Sequence, residues 1–152
     1  MNPDDLGRAL VCDLPDGLIV SDAKGVIRYW NGGAERIFGF TVAEAMGQPL
    51  DIIIPRRLQA RHQAGYDTTM RTGVTKYGAG ELLAVPAVRK DGRPISIQFS
   101  ILPLPDDQGG LEGIAAIVRD VTAEFEERKA LRRALKDVLN TGPAVSVLDG
   151  AA

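Results

Sequence analysis

From Gly17 to Asn31 the residues alternate between apolar and polar: "GLIVSD", a short "AKG", then "VIRYWN". A period of two, broken by small polar residues, predicts two strands joined by a tight turn. The period then lengthens. In "NGGAERIFG", Ala34, Ile37 and Phe38 recur at helical spacing, and Gly39 stands where a helix C-cap belongs. "TVAEAMG" predicts one more helical turn, with Thr41 as N-cap and Glu44 three residues on, the two halves of a capping box. After "PLDIIIP", the segment from Pro55 to Arg71 predicts a helix with proline near its first position and Gly73 past its end. At the start of the chain, "PDDLGRALV" predicts a short helix with Leu6, Ala9 and Leu10 on one side.

The second half returns to alternation. "ELLAVPAVRKDGRPISIQFSILPL" alternates around Asp91-Gly92, a hairpin signal. "DDQGG" predicts another turn and "LEGIAAIVRDVT" a further strand. "TAEFEERKALRRALKDVL" predicts a charged helix whose apolar residues Leu131, Leu135 and Val138 form one stripe, about two heptads long. The order is two strands, several short helices, three strands and an exit helix. Hairpins dominate, so an antiparallel sheet is expected, with the helical middle covering one face: an α+β domain. A pocket for a small molecule belongs between such layers.

The helix from Pro55 to Arg71 has two sides, at about 100° per residue. Leu58, His62, Tyr66, Thr69 and Met70 share one sector, bordered by Gln59 and Gly65; Arg56, Arg57, Ala60, Asp67 and Arg71 take the other. His62, the single histidine, falls on the less charged side, which a globular helix buries. The missing side chain of Gly65 would leave room there for a flat ring. Two readings of His62 stay open. The commoner is a hydrogen-bonded residue at the core boundary, and the other is a ligand. Zinc and similar metals are disfavoured, since no second histidine and no useful cysteine is available. Haem iron needs one axial imidazole, because the porphyrin supplies the other nitrogens.

Composition narrows the classes. The 152 residues carry 18 basic and 20 acidic side chains, with 45% apolar and 25% charged residues. One domain of that length buries a real core. No basic excess marks a nucleic-acid surface, and no apolar run approaches the ~20 residues of a membrane span. "MNPDDLGRALVCDLP" lacks the basic start and apolar core of a signal peptide, so a cytoplasmic location is expected. Cys12 is the single cysteine and is read as a small apolar residue. Asp4-Asp5 and Asp106-Asp107 read as solvated charges, not as an acid/base pair. No phosphate-cradling loop follows a strand. The chain is expected not to be an enzyme.

Three stretches together resemble a PAS domain: "DGLIVSDAKGVIRYWNGGAERIFGFTVAEAMGQPLDIIIP", "VRKDGRPISIQFSILPL" and "GIAAIVRDVTAEFEERKALRRAL". The resemblance runs from about Leu14 to Leu135. It implies a five-stranded antiparallel sheet with helices on one face, and sensing through a ligand or cofactor that biases the flanking helices or a dimer. The expected organisation is a flanking helix at 1–13, the sensor domain at 14–121, a signalling or dimerisation helix at 122–140 and a disordered tail at 141–152.

Within that family, "IPRRLQARHQAGY" is similar to the oxygen-sensing haem PAS domains of sensor kinases. The resemblance implies haem b, with His62 as the proximal iron ligand and Phe99 and Ile101 lining the distal side. Leu58, Tyr66 and Met70 would share the wall around His62. The chain departs from those sensors in three places. Glu81, in "GAGE", stands where they place an arginine, Thr68 stands where they place a basic residue, and "ELLAVPAVRKDG" is about two residues longer. An ionised Glu81 cannot donate to a bound gas and repels a haem propionate. A light-sensing flavin PAS domain needs a cysteine in an "NCRFLQ"-like stretch, and none is present. Non-covalent flavin, with Trp30 as a stacking partner or simply as packing, stays open. So do a ligand-free dimerisation module and a pocket for a small organic metabolite.

Too few apolar residues lie on either terminal helix to form a core alone, so a homodimer through both is expected. The expected partner is a separate output protein such as a histidine kinase or regulator.

Overall fold

Asp22 is where the first hairpin turns. In the computed structural model, which describes residues 1–75 and 84–142, its carboxylate accepts from the backbone N–H groups of Lys24 (2.9 Å) and Val26 (3.1 Å). Gly25 takes φ +76°, a conformation that costs a residue without Cβ little. This Asx turn joins β1 (Gly17–Asp22) to β2 (Ile27–Trp30), antiparallel, with Ile19 opposite Trp30. The second hairpin turns at Gly92 (φ +84°) and joins β3 (Val85–Val88) to β4 (Pro94–Pro105). A turn through Gly109 leads to β5 (Leu111–Asp120). The strands form one five-stranded sheet in the order β2-β1-β5-β4-β3, every neighbour antiparallel.

The period-two alternation sorts the sheet into two faces. Gly17, Ile19 and Ser21 of β1 lie opposite Val118, Ala116 and Ile114 of β5, and Phe99 and Ile101 of β4 lie opposite Val118 and Ala116. This is the covered face. Leu102 and Ile117, on the other face, are 63% and 45% exposed. Over the covered face lie α2 (Gly32–Phe38), α3 (Val42–Ala45) and a 3-10 turn at Leu50–Ile53. Ala34, Ile37, Phe38, Ala45 and Ile53 join Ile19, Ile27, Trp30, Ile95, Ile97 and Val118 in one core. The α+β architecture expected from the pattern is present, with a five-stranded antiparallel sheet and helices packed on it.

The layers are joined by few polar side chains. Asn31 is buried, and all of its carboxamide is used. Oδ1 accepts from Leu18 N (2.7 Å) and Ala34 N (2.9 Å), and Nδ2 donates to Asp16 O (3.1 Å) and Val11 O (3.3 Å). It is thus the N-cap of α2 and also a staple to β1 and the chain before it. A Cβ on Gly33 would lie 2.1 Å from Asp16 O, so only glycine lets α2 approach this closely. The hairpin "RKDG" reaches the helices too. Arg89 Nη1 donates to Ile37 O (2.7 Å) and Arg36 O (3.2 Å), placing a cation at the carbonyl end of α2. Lys90 pairs with Glu44, which completes the capping box of α3. Trp30 is 2% exposed, donates Nε1–H to Phe40 O (3.0 Å) and packs 5.5 Å from the Phe38 ring. It is a core residue, which removes it as a stacking platform for a cofactor.

The terminal helices are amphipathic. α1 (Pro3–Asp13) starts on Asn2 as N-cap and buries no residue. Leu6 and Leu10 are exposed, and so is Cys12, whose Sγ lies 3.9 Å from the Tyr29 hydroxyl; it does not join the core. α5 (Thr122–Thr141) is a separate unit that buries no residue, with Leu131, Leu135 and Val138 63%, 61% and 64% exposed. The tail expected to be disordered falls, from residue 143 on, outside the described residues.

Asn31→Ala is expected to destabilise the domain by about 2–4 kcal/mol, from a lost cap plus unsatisfied backbone groups. Asn31→Asp keeps the acceptor but turns an anion onto two carbonyls, so it is not expected to rescue. Urea midpoints measure both. Lys90, with Thr41, lowers the Glu44 pKa from 4.5 to about 2. The unfolded chain therefore binds this proton first as pH falls, and the stabilisation, complete above pH 4.5, is lost toward pH 2. Glu44→Gln is expected to flatten that part of the acid-stability curve, read by thermal melts between those limits.

Candidate functional site

The helix predicted from Pro55 to Arg71 begins more tightly than its pattern suggests. Arg56–Leu58 form a 3-10 turn, closed by Leu58 N to Pro55 O (2.8 Å), and α4 follows as Gln59–Thr72. The residue at the α4 N-cap is Leu58, which has no side-chain acceptor, so the first N–H groups find carbonyls by tightening the turn. Gly73, in the left-handed conformation (φ +70°), ends the helix.

The predicted two-sidedness appears in the burial. Leu58, Gln59, His62 and Met70 are half-buried and Tyr66 and Thr69 buried, while Arg56, Arg57, Ala60, Asp67 and Arg71 are exposed. Gly65 is exposed, and a Cβ there would meet nothing within 4 Å. It faces solvent, and the expectation that it makes room for a ring beside His62 does not hold.

Tyr66 anchors α4. Its hydroxyl donates to Asp22 O (2.6 Å) and lies 2.9 Å from Ser21 Oγ. A phenol has one proton, so Ser21 must be the donor in the second bond. Burial, chiefly, raises the Tyr66 pKa above 10.0. Both sides of its oxygen are committed, so the Tyr66 hydroxyl acts as a strut. Gln59 anchors the other end, donating Nε2–H to Asp51 O (3.2 Å) and Ile54 O (3.2 Å).

His62 lies between these two anchors, its ring 6.1 Å from that of Tyr66. Burial lowers its pKa below 6.5, against the opposing charge of Asp51. The neutral imidazole is therefore favoured at neutral pH, and that is the form that ligates metals. Its Nδ1 is enclosed. Most buried polar atoms are paired, and among the described residues no hydrogen-bond partner for this nitrogen is found. An inward imidazole with an enclosed, unpartnered nitrogen fits the demand of a haem iron for one axial ligand.

Phe99 and Ile101 are half-buried on the sheet face that the helices cover. Glu81 lies outside the described residues. Ser21 and Gln59 went unassigned in the sequence reading, though a signal existed for Ser21: it falls in register with Gly17 and Ile19, and a hydroxyl at a core position needs a partner. Elsewhere, a hollow of about 540 Å³ opens at the β4–β5 turn, lined by Pro105, Asp106, Asp107, Gln108 and Glu112. Asp106 spends its Oδ1 on the N–H groups of Gln108 and Gly110, as a turn residue does. Among the described residues no cluster of three metal-ligating side chains occurs, and no helix is long and apolar enough to cross a membrane.

Comparison with known proteins agrees with this geometry. The sequence profile of the family described as the PAS fold matches residues 12–126. Sensor protein FixL of Bradyrhizobium diazoefficiens is 31% identical over 132 residues, which make up 87% of this chain and 25% of FixL. Oxygen sensor protein DosP of Escherichia coli strain K12 is 26% identical over 133 residues, 88% of this chain and 16% of DosP. The chain thus spans a quarter or less of the length of these relatives. The crystal structure of a PAS domain from Colwellia psychrerythraea superposes with a TM-score of 0.69 at 20% identity, covering 80% of this chain and 99% of that one.

Proposed function

The chain belongs to the PAS family, and from that premise we propose that it is a sensory module which binds haem b through His62 and responds to a gas or to redox state. The observation that carries this reading is the enclosed Nδ1 of His62, unpartnered among the described residues on the inward side of α4. The likeness to a protein named as an oxygen sensor supports it. Haem, when bound, supplies an iron that responds to gas and to oxidation state. The chain's own residues do the rest. His62 offers a neutral imidazole, Leu58 and Met70 flank it on the same face of α4, and Phe99 and Ile101 give an apolar wall on the sheet. Ligand-dependent shifts in these walls bias the terminal helices. Their exposed stripes, Leu6 and Leu10 on α1 and Leu131, Leu135 and Val138 on α5, serve a homodimer. An output unit such as a histidine kinase or regulator receives the signal.

His62→Ala is expected to abolish stoichiometric hemin binding while far-UV circular dichroism stays that of wild type. An unchanged Soret band in the variant would remove His62 as ligand, and a colourless wild type that hemin does not reconstitute would favour the ligand-free module or a metabolite pocket. Light scattering at micromolar concentration is expected to give a dimer mass, with Leu131→Asp/Leu135→Asp shifting it to monomer. A variant that stays dimeric would place the interface elsewhere.

A further inference from the structure

The anchors of α4 end at the same place. Tyr66, four residues after His62, holds Asp22 O, and Gly25 N donates to that same carbonyl (2.9 Å). The Tyr66 ring also covers this turn, since a Cβ on Gly25 would lie 3.9 Å from Tyr66 Cε1. Gln59, three residues before His62, holds Asp51 O and Ile54 O. The 3-10 turn carrying Asp51 is in turn fixed to the hairpin by Leu50 N to Gly25 O (3.0 Å) and by the bridge Val26–Pro49. The path closes on itself: Gly25, Leu50, Asp51, Gln59, α4, Tyr66, Asp22.

The Asp22 carboxylate holds Lys24 N, Val26 N and Arg28 Nε, which ties the turn to the start of β2.

We propose that Tyr66 and Gln59 are positioning residues that fix His62 relative to the Asp22–Val26 turn, so that occupancy of His62 is felt first in that turn and through it in β1. The second half of this statement rests on His62 being the ligand, whereas the first half does not. A shift of α4 strains the Tyr66–Asp22 and Gln59–Asp51 bonds together, because both are short tethers within one helical turn of His62. The Ser21–Tyr66 bond adds a second grip inside the covered face of β1. From there the ladder passes to β5, where Ser21 lies opposite Ile114.

The test uses His62 being the single histidine: labelling histidine with ¹⁵N in the ring gives one imidazole to observe. In the full chain without cofactor, Tyr66→Phe removes the hydroxyl alone. The expected result is a shifted or broadened His62 ring signal together with a displaced Gly25 amide, with far-UV circular dichroism unchanged. Gln59→Leu is expected to move the same two signals, and Tyr29→Phe, on β2, to move neither. With hemin added, Tyr66→Phe is expected to bind about tenfold more weakly, because the imidazole is less well pre-positioned, and to lose the Gly25 shift that hemin produces in wild type. An unmoved His62 signal in Tyr66→Phe overturns the proposal, as does a hemin-induced Gly25 shift of equal size in both proteins. If Tyr66→Phe fails to fold, Gln59→Leu carries the test, and an unmoved ring signal there is equally fatal. A wild type without a Soret band, combined with displaced signals in the cofactor-free variant, sinks the haem reading and leaves the tether standing.

Discussion

The buried carboxamide of Asn31 is the constraint from which the arrangement of layers follows. A helix crossing a sheet has to leave the last strand at a defined angle, and its first N–H groups need acceptors. Asn31 meets both needs with one side chain: it caps α2 through Ala34 N, and it fixes the cap to Leu18 N on β1 and to the carbonyls of Val11 and Asp16. Four bonds inside a poorly solvated region are strong because nothing else there can replace them. Gly33 permits the same approach sterically. With α2 set, Phe38, Trp30 and Ile27 close the centre of the core, and α3 and the chain that leads to α4 have a surface to lie on.

Polar groups in the covered layer then divide into two kinds. Asn31, Ser21, Tyr66 and the Trp30 indole are all paired, and each pairing joins elements distant in sequence. His62 Nδ1 has no partner among the described residues. A fold that satisfies its other inward hydroxyls and amides while leaving an imidazole nitrogen open carries a local cost, and costs of that kind concentrate where a protein binds something. The tethers on either side of His62 fit this division: the Gln59 amide N–H and the Tyr66 hydroxyl hold the helix, while the histidine nitrogen between them has no partner among the described residues.

Much of this was legible in one dimension. Period-two runs located β1, β2, β4 and β5, and Thr41 with Glu44 announced the cap of α3, because such signals depend on residues a few positions apart. The sorting of α4 into an inward side with His62 and an outward arginine side also followed from angular spacing alone. The hairpin at Asp91-Gly92 was readable as a turn, but not that Arg89 and Lys90 would reach α2 and α3, since that contact spans about fifty residues of sequence and depends on where the sheet puts the turn.

What the chain's order of residues determined by itself was therefore local: which segments are strands or helices, which face of each is apolar, and that one histidine points inward. Only the tertiary structure decided the rest. It showed that Trp30 is core, that Gly65 faces solvent, that Tyr66 is bound to Ser21 and Asp22, and that the His62 nitrogen finds no protein partner among the described residues. The physical reason is that a hydrogen bond between distant segments is specified by the positions of two backbones in space. A periodic pattern records which side of an element is buried, but not what it is buried against.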